Sequence, residues 1–68
     1  MNEDNLNMEI RKFLKNVGIS SQRIIENGVL EANNKGILKL GDEIEVEMNL
    51  SIKSLEIKNT ISGKIRID

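Results

Sequence analysis

From Glu43 to Ile67 apolar and polar residues alternate, pause near Lys53-Ser54, and alternate again. Ile44, Val46, Met48, Leu50 and Ile52 share one side of the first half, with Glu43, Glu45, Glu47, Asn49 and Ser51 on the other. A period of two belongs to a half-buried strand, because successive side chains leave a pleated backbone on opposite faces. The second half sets Leu55, Ile57, Ile61, Ile65 and Ile67 against Glu56, Lys58, Thr60, Ser62, Lys64 and Arg66. The spacing predicts an antiparallel hairpin with one greasy face, for which the upstream residues are the expected cover.

That cover must come from a short chain. Sixty-eight residues form one small domain, near the size at which a single core only just outweighs the entropy of ordering the chain. Domains this small often add disulfides, a metal or a second subunit. With no Cys and no His, the first two are removed in their usual forms, which leaves a homodimer as the expected supplement. Ten Lys and Arg stand against eleven Asp and Glu, for a net charge of −1. Without a clustered basic face, neither nucleic acid nor an anionic membrane is an expected partner. No apolar run approaches the length of a membrane span, and the opening Met1-Asn2-Glu3-Asp4-Asn5 is acidic where a targeting segment would be basic. A cytoplasmic protein is the expectation.

Upstream, Leu6, Ile10, Phe13, Leu14 and Val17 mark one helical face from about Asp4 to Val17. Asn2 or Asn5 can cap its start, Glu3 and Asp4 suit the positive end of its dipole, and Gly18 can close it in a left-handed turn. Ile19 and Ser20 then read as the approach to a second helix starting near Ser21, with Ile24 packing back on Ile19 as a staple. Its buried side would use Ile25, Val29 and Ala32, and Gly36 would end it. Asn27-Gly28 is the difficulty, since glycine costs about 1 kcal/mol inside a helix and the pair favours turns. It is either a break or a small-residue notch with Ala32 that admits another element. A rival reading ends the helix at Asn27 and folds Val29–Ala32 and Ile37–Leu40 into a hairpin; the continuous second helix is preferred.

Ile37 to Leu40 is a short apolar connector, and Gly41-Asp42 a turn into the first strand. Lys53-Ser54 is a poor two-residue turn because neither residue favours positive φ, so a four-residue loop from Ile52 to Leu55 is expected. Leu50 would then face Ile57, Val46 face Ile61 and Ile44 face Gly63, with Glu43 opposite Lys64 and Asn49 opposite Lys58 on the polar side. Asn59 and Gly63 interrupt the buried face. Either a helix backbone comes close there, or Asn59 to Gly63 is a second turn that makes a third strand.

Little of this carries chemistry. Asp42, Glu43, Glu45 and Glu47 are the only concentration of ionisable groups, at a strand spacing too wide for a compact oxygen cage. A solvated face neutralised by Lys58, Lys64 and Arg66 explains them. Without Cys or His only Ser, Thr or Lys remain as nucleophiles, no serine is glycine-framed, and no glycine-rich loop cradles phosphate. No enzyme activity, metal or cofactor is expected. Phe13, Val17, Ile19 and Ile24 around Gly18 also fit a helix-turn-helix unit with the hairpin as a wing. Glu26, Glu31 and the strand glutamates oppose that DNA-binding alternative. Arg11, Lys12, Lys15 and Arg23 are the weak interaction candidates, either a docking site for an acidic partner or a solvated helix face.

The opening carries a further pattern. Met1-Asn2-Glu3-Asp4, Asn7-Met8, Ile10-Arg11-Lys12-Phe13-Leu14-Lys15, Val17-Gly18 and Ser21-Gln22-Arg23 resemble an uncharacterised family of very short bacterial proteins, a domain of unknown function. The resemblance is dense through Glu26 and looser beyond. It implies a small bacterial protein and brings no activity, ligand or site residue with it.

The expected architecture is α+β: two N-terminal helices packed on one face of a C-terminal antiparallel β-hairpin of two long strands, or three if Asn59 to Gly63 turns. The expected role is a non-enzymatic protein–protein interaction or accessory module that self-associates and meets an unidentified protein partner, with a small DNA-binding regulator as the alternative.

Overall fold

A computed structural model describes residues Met1–Asp68. The chain forms two units, Met1–Ile37 and Leu38–Asp68, each taken by itself.

The first unit is one helix, α1, Glu3–Asn34. It is about 48 Å long at the usual rise per residue. Asn2 caps it: the backbone there is extended (φ −89°, ψ 102°) and the Asn2 Oδ1 accepts a hydrogen bond from the Asn5 N–H at 3.1 Å. Glu3 and Asp4 occupy the first turn, where the unpaired N–H groups favour negative charge. At the far end Gly36 takes a left-handed conformation (φ 73°), its N–H donates to Asn33 O, and the Ile37 N–H reaches back to Ala32 O at 2.9 Å. These two bonds are a Schellman closure, which satisfies carbonyls that the helix would otherwise leave open.

The expected pair of helices is therefore corrected to one. Gly18 continues the helix, and so do Ser20, Ser21, Asn27 and Gly28. The physical reason lies in phase. Leu14, Val17, Ser21, Ile25, Gly28 and Ala32 follow one another at spacings of three or four, so one stripe passes through Gly18 without a jump. A corner would have to be rewarded by packing of one half on the other; two glycines cost only about 1 kcal/mol each and no proline intervenes. The rival hairpin around Asn33 to Gly36 is likewise absent, as is the corner that the helix-turn-helix alternative requires.

No helix is long and apolar enough to cross a membrane.

The second unit begins with a turn in which the Lys39 N–H donates to Asp42 Oδ2 (3.0 Å) and the Asp42 N–H to Lys39 O (3.1 Å), with Gly41 at φ 91°. Strands β1, Glu43–Ile52, and β2, Ile57–Arg66, then form an antiparallel ribbon. Its mouth is held by the Gly41 N–H to Ile67 O (2.6 Å) and the Ile67 N–H to Asp42 O (2.7 Å). Ile44, Val46, Met48, Leu50 and Ile52 face Ile65, Gly63, Ile61, Asn59 and Ile57 in turn, so the alternation does define one apolar face. On the polar face Glu43 faces Arg66, Glu45 faces Lys64 and Asn49 faces Thr60, whose Oγ1 donates to Asn49 Oδ1 at 3.0 Å.

The expected register is corrected by one step. The reversal uses Lys53–Glu56, a single 3-10 turn over Lys53–Leu55 followed by Glu56 in the left-handed region (φ 54°, ψ 37°). Moving the loop one residue along the chain moves every partner by two, so Val46 meets Gly63 where Ile61 was expected, and Ile61 meets Met48. The shift preserves the face because the side-chain period is two. Leu55 leaves the apolar face for the turn, and Asn59 and Gly63 lie within β2, so there is no third strand.

Candidate functional site

No side chain in either unit is buried. What each unit presents is therefore surface, and that surface has three features.

On α1, Arg11, Lys12, Lys15 and Arg23 project within a sector of about 120°, on the side away from the apolar stripe. None of them is held in an ion pair; the salt bridges are Lys35 to Glu31 at 3.0 Å and Arg66 to Asp68 at 3.2 Å. Glu9 and Lys12, three residues apart on the helix, do not pair. The sector is not purely basic, because Asp4 and Glu26 project within it, and Glu26 Oε1 accepts from the Gln22 amide at 2.7 Å. The sequence reading placed Arg23 on a second helix, whereas all four cations lie on α1.

On β1, Glu43, Glu45 and Glu47 line the polar face opposite Arg66, Lys64 and Ser62. Alternation separates successive glutamates by about 6–7 Å, and no group of three or more acidic residues closes around a common point. Shallow hollows flank the ribbon at Glu45–Glu47 with Ser62–Lys64 and at Asn49–Ser51 with Lys58–Thr60. Each is open and lined by both faces of the ribbon, with Glu45, Glu47 and Lys64 around the first and Lys58 beside the second.

The third feature is apolar. Leu6, Ile10, Leu14, Val17, Ile25 and Ala32 carry a stripe the whole length of α1, and Val17, Ile25 and Ala32 are only half-exposed. The ribbon adds its own apolar face, on which Met48, Leu50, Ile52, Ile57 and Ile65 each keep more than a third of their surface open. Dividing α1 at Gly18 hid the continuity of the first of these. The signal that reveals it is the unbroken four-residue spacing from Val17 through Ser21 to Ile25.

With the fold described, comparison with known proteins places the chain. A family model described as a family of unknown function (DUF6494) matches residues 1–68, helix and ribbon together. The chain belongs to the DUF6494 family. That agrees with the resemblance of its opening to uncharacterised short proteins. No curated protein and no solved structure matches. Membership in DUF6494 supplies no ligand or reaction, so any reading of role rests on the surfaces just described.

Proposed function

We propose that the protein is a non-enzymatic interaction module that associates with itself. The observation that carries this reading is that neither unit has a core of its own: eighteen large apolar side chains are exposed and none is buried. Monomeric soluble proteins rarely display contiguous apolar patches beyond a few hundred Å², and a face that recurs in register along an entire element is what a partner surface supplies with a complement. The ribbon supports the same reading. Each of its two strands has one edge whose N–H and C=O groups are unpaired in the sheet, an arrangement open to a further strand from another chain. The residue inventory, with no His and no Cys, favours binding over chemistry.

Sedimentation equilibrium across a hundredfold range of protein concentration tests the proposal. A dimer whose melting temperature rises with concentration is the expected result, because subunit association stabilises the folded state by mass action. A monomer at every concentration, with cooperative and concentration-independent melting, would remove it.

A further inference from the structure

We infer that two copies of this chain pair through α1 in antiparallel orientation, about a two-fold axis passing level with Ile19; the inference rests on the self-association proposed above and names its surface. The stripe is symmetric about that level. Leu6 lies as far before Ile19 as Ala32 lies after it, Ile10 as far as Gly28, and Val17 as far as Ser21. Phe13 falls at the level of Ile25 and Leu14 at that of Ile24 by the same operation. A two-fold axis perpendicular to the helices brings these partners together, residue i of one copy beside residue j of the other and the reverse.

The sizes match as well as the positions. Leu6 meets the second copy's Ala32, Ile10 meets its Gly28, and Val17 meets its Ser21, so these three layers each pair a larger side chain with a smaller one, while Phe13 against Ile25 and Leu14 against Ile24 pair large with large. A parallel pair would set Leu6 on Leu6 at one end and Gly28 on Gly28 at the other, which demands two different separations along one straight helix. Charge points the same way. Glu3 and Lys35 are equidistant from Ile19 at the two ends of the stripe, so the antiparallel pair sets acid beside base where the parallel pair sets like beside like. The helix dipoles also oppose one another only in the antiparallel arrangement.

Gly28 supplies the independent observation. Glycine disfavours a helix more than any residue but proline, yet a Cβ added at Gly28 would meet nothing within 4 Å, and its φ is not positive. Neither backbone conformation nor a contact within the first unit accounts for it; the same holds at Gly18, but only Gly28 lies at the centre of the stripe. A notch that receives Ile10 of a second copy accounts for Gly28. The spacing sets the geometry of the pair: Leu6, Val17 and Gly28, like Ile10, Ser21 and Ala32, recur every eleven residues. That period, about 3.67 residues per turn, keeps the stripe nearly parallel to the helix axis and gives a right-handed supercoil.

The chain contains no cysteine, so thiol cross-linking reads the orientation directly. Leu6→Cys and Ala32→Cys are oxidised alone and as an equimolar mixture in which one carries a short mass tag. The expected product is the mixed disulfide, formed in the mixture and not in either variant alone. Cross-linking of Leu6→Cys to itself with equal yield would establish a parallel pair and overturn the inference. A dimer by sedimentation with no mixed disulfide would overturn it while leaving self-association standing, and a monomer would overturn both. As a second measurement, Gly28→Leu should weaken the dimer by about tenfold or more through overpacking of the notch. Its helicity by circular dichroism should hold or rise, since leucine favours a helix, and undiminished association would count against the notch.

Discussion

Ile52 stands directly opposite Ile57 across the ribbon, and the four residues between them reverse the chain with Glu56 held at φ 54°. Left-handed backbone crowds the Cβ of an L-residue against the following carbonyl oxygen, a cost of about 1–2 kcal/mol that glycine escapes. Glu56→Gly should therefore stabilise the ribbon by about 0.5–1 kcal/mol after glycine's greater loss of freedom on folding is set against the relief. Thermal unfolding followed by circular dichroism checks this. Glu56→Val, β-branched at the same position, should lower the melting temperature.

Asp42 works at the opposite end of the ribbon. Its carboxylate accepts from the Lys39 N–H while its own carbonyl accepts from the Ile67 N–H, so one residue ties the entry turn to the last rung of the ladder. Asp42→Ala removes the side-chain bond and leaves the backbone bonds in place. The expected loss is about 1 kcal/mol, the ordinary net worth of a hydrogen bond at an accessible position. Amide hydrogen exchange should show faster exchange at Lys39 with little change at Met48 in mid-strand.

Which parts of this were legible in the sequence follows from how local their causes are. The ribbon's face was readable because Ile44 to Ile52 and Ile57 to Ile65 alternate whatever lies around them. The register was not, since it depends on where the chain reverses, and nothing in Lys53-Ser54-Leu55-Glu56 advertises that a glutamate takes the left-handed position. Asn2 and Gly36 were both legible as helix boundaries. Gly18-Ile19-Ser20-Ser21 misled because it carries the local signs of one helix ending and another starting, while the evidence for continuity lies in the phase of Val17, Ser21 and Ile25, a relation that extends over more than two turns. The interaction candidates shared this fate. Arg11, Lys12, Lys15 and Arg23 were recognisable as exposed, whereas the apolar stripe on the far side was divided at Gly18 and its symmetry could not be seen.

Gly63 faces Val46 on the apolar side of the ribbon, flanked along β2 by Ile61 and Ile65. It is in extended structure with φ not positive, and a Cβ there would meet nothing within 4 Å. Glycine weakens a strand through its entropy and its lack of a side chain to pack. Gly63→Val should accordingly raise ribbon stability by roughly 0.5–1 kcal/mol through strand propensity and a cross-strand contact with Val46. A fall in melting temperature would mean that valine's added bulk strains the ribbon.

Gly18 offers the sharpest check on the single helix. Within α1 its φ is not positive and an added Cβ meets nothing within 4 Å, so alanine fits without any movement. Host–guest scales place glycine about 1 kcal/mol below alanine in a helix interior. Gly18→Ala should therefore stabilise the helix by about that amount, raise the helical signal, and slow amide exchange from Val17 through Gln22. Were Gly18 instead the left-handed stop between two helices, the same substitution would force an alanine into disfavoured backbone and lower stability. The sign of the change in melting temperature thus separates one continuous helix from two, and the antiparallel pairing of the whole stripe stands on the first of these.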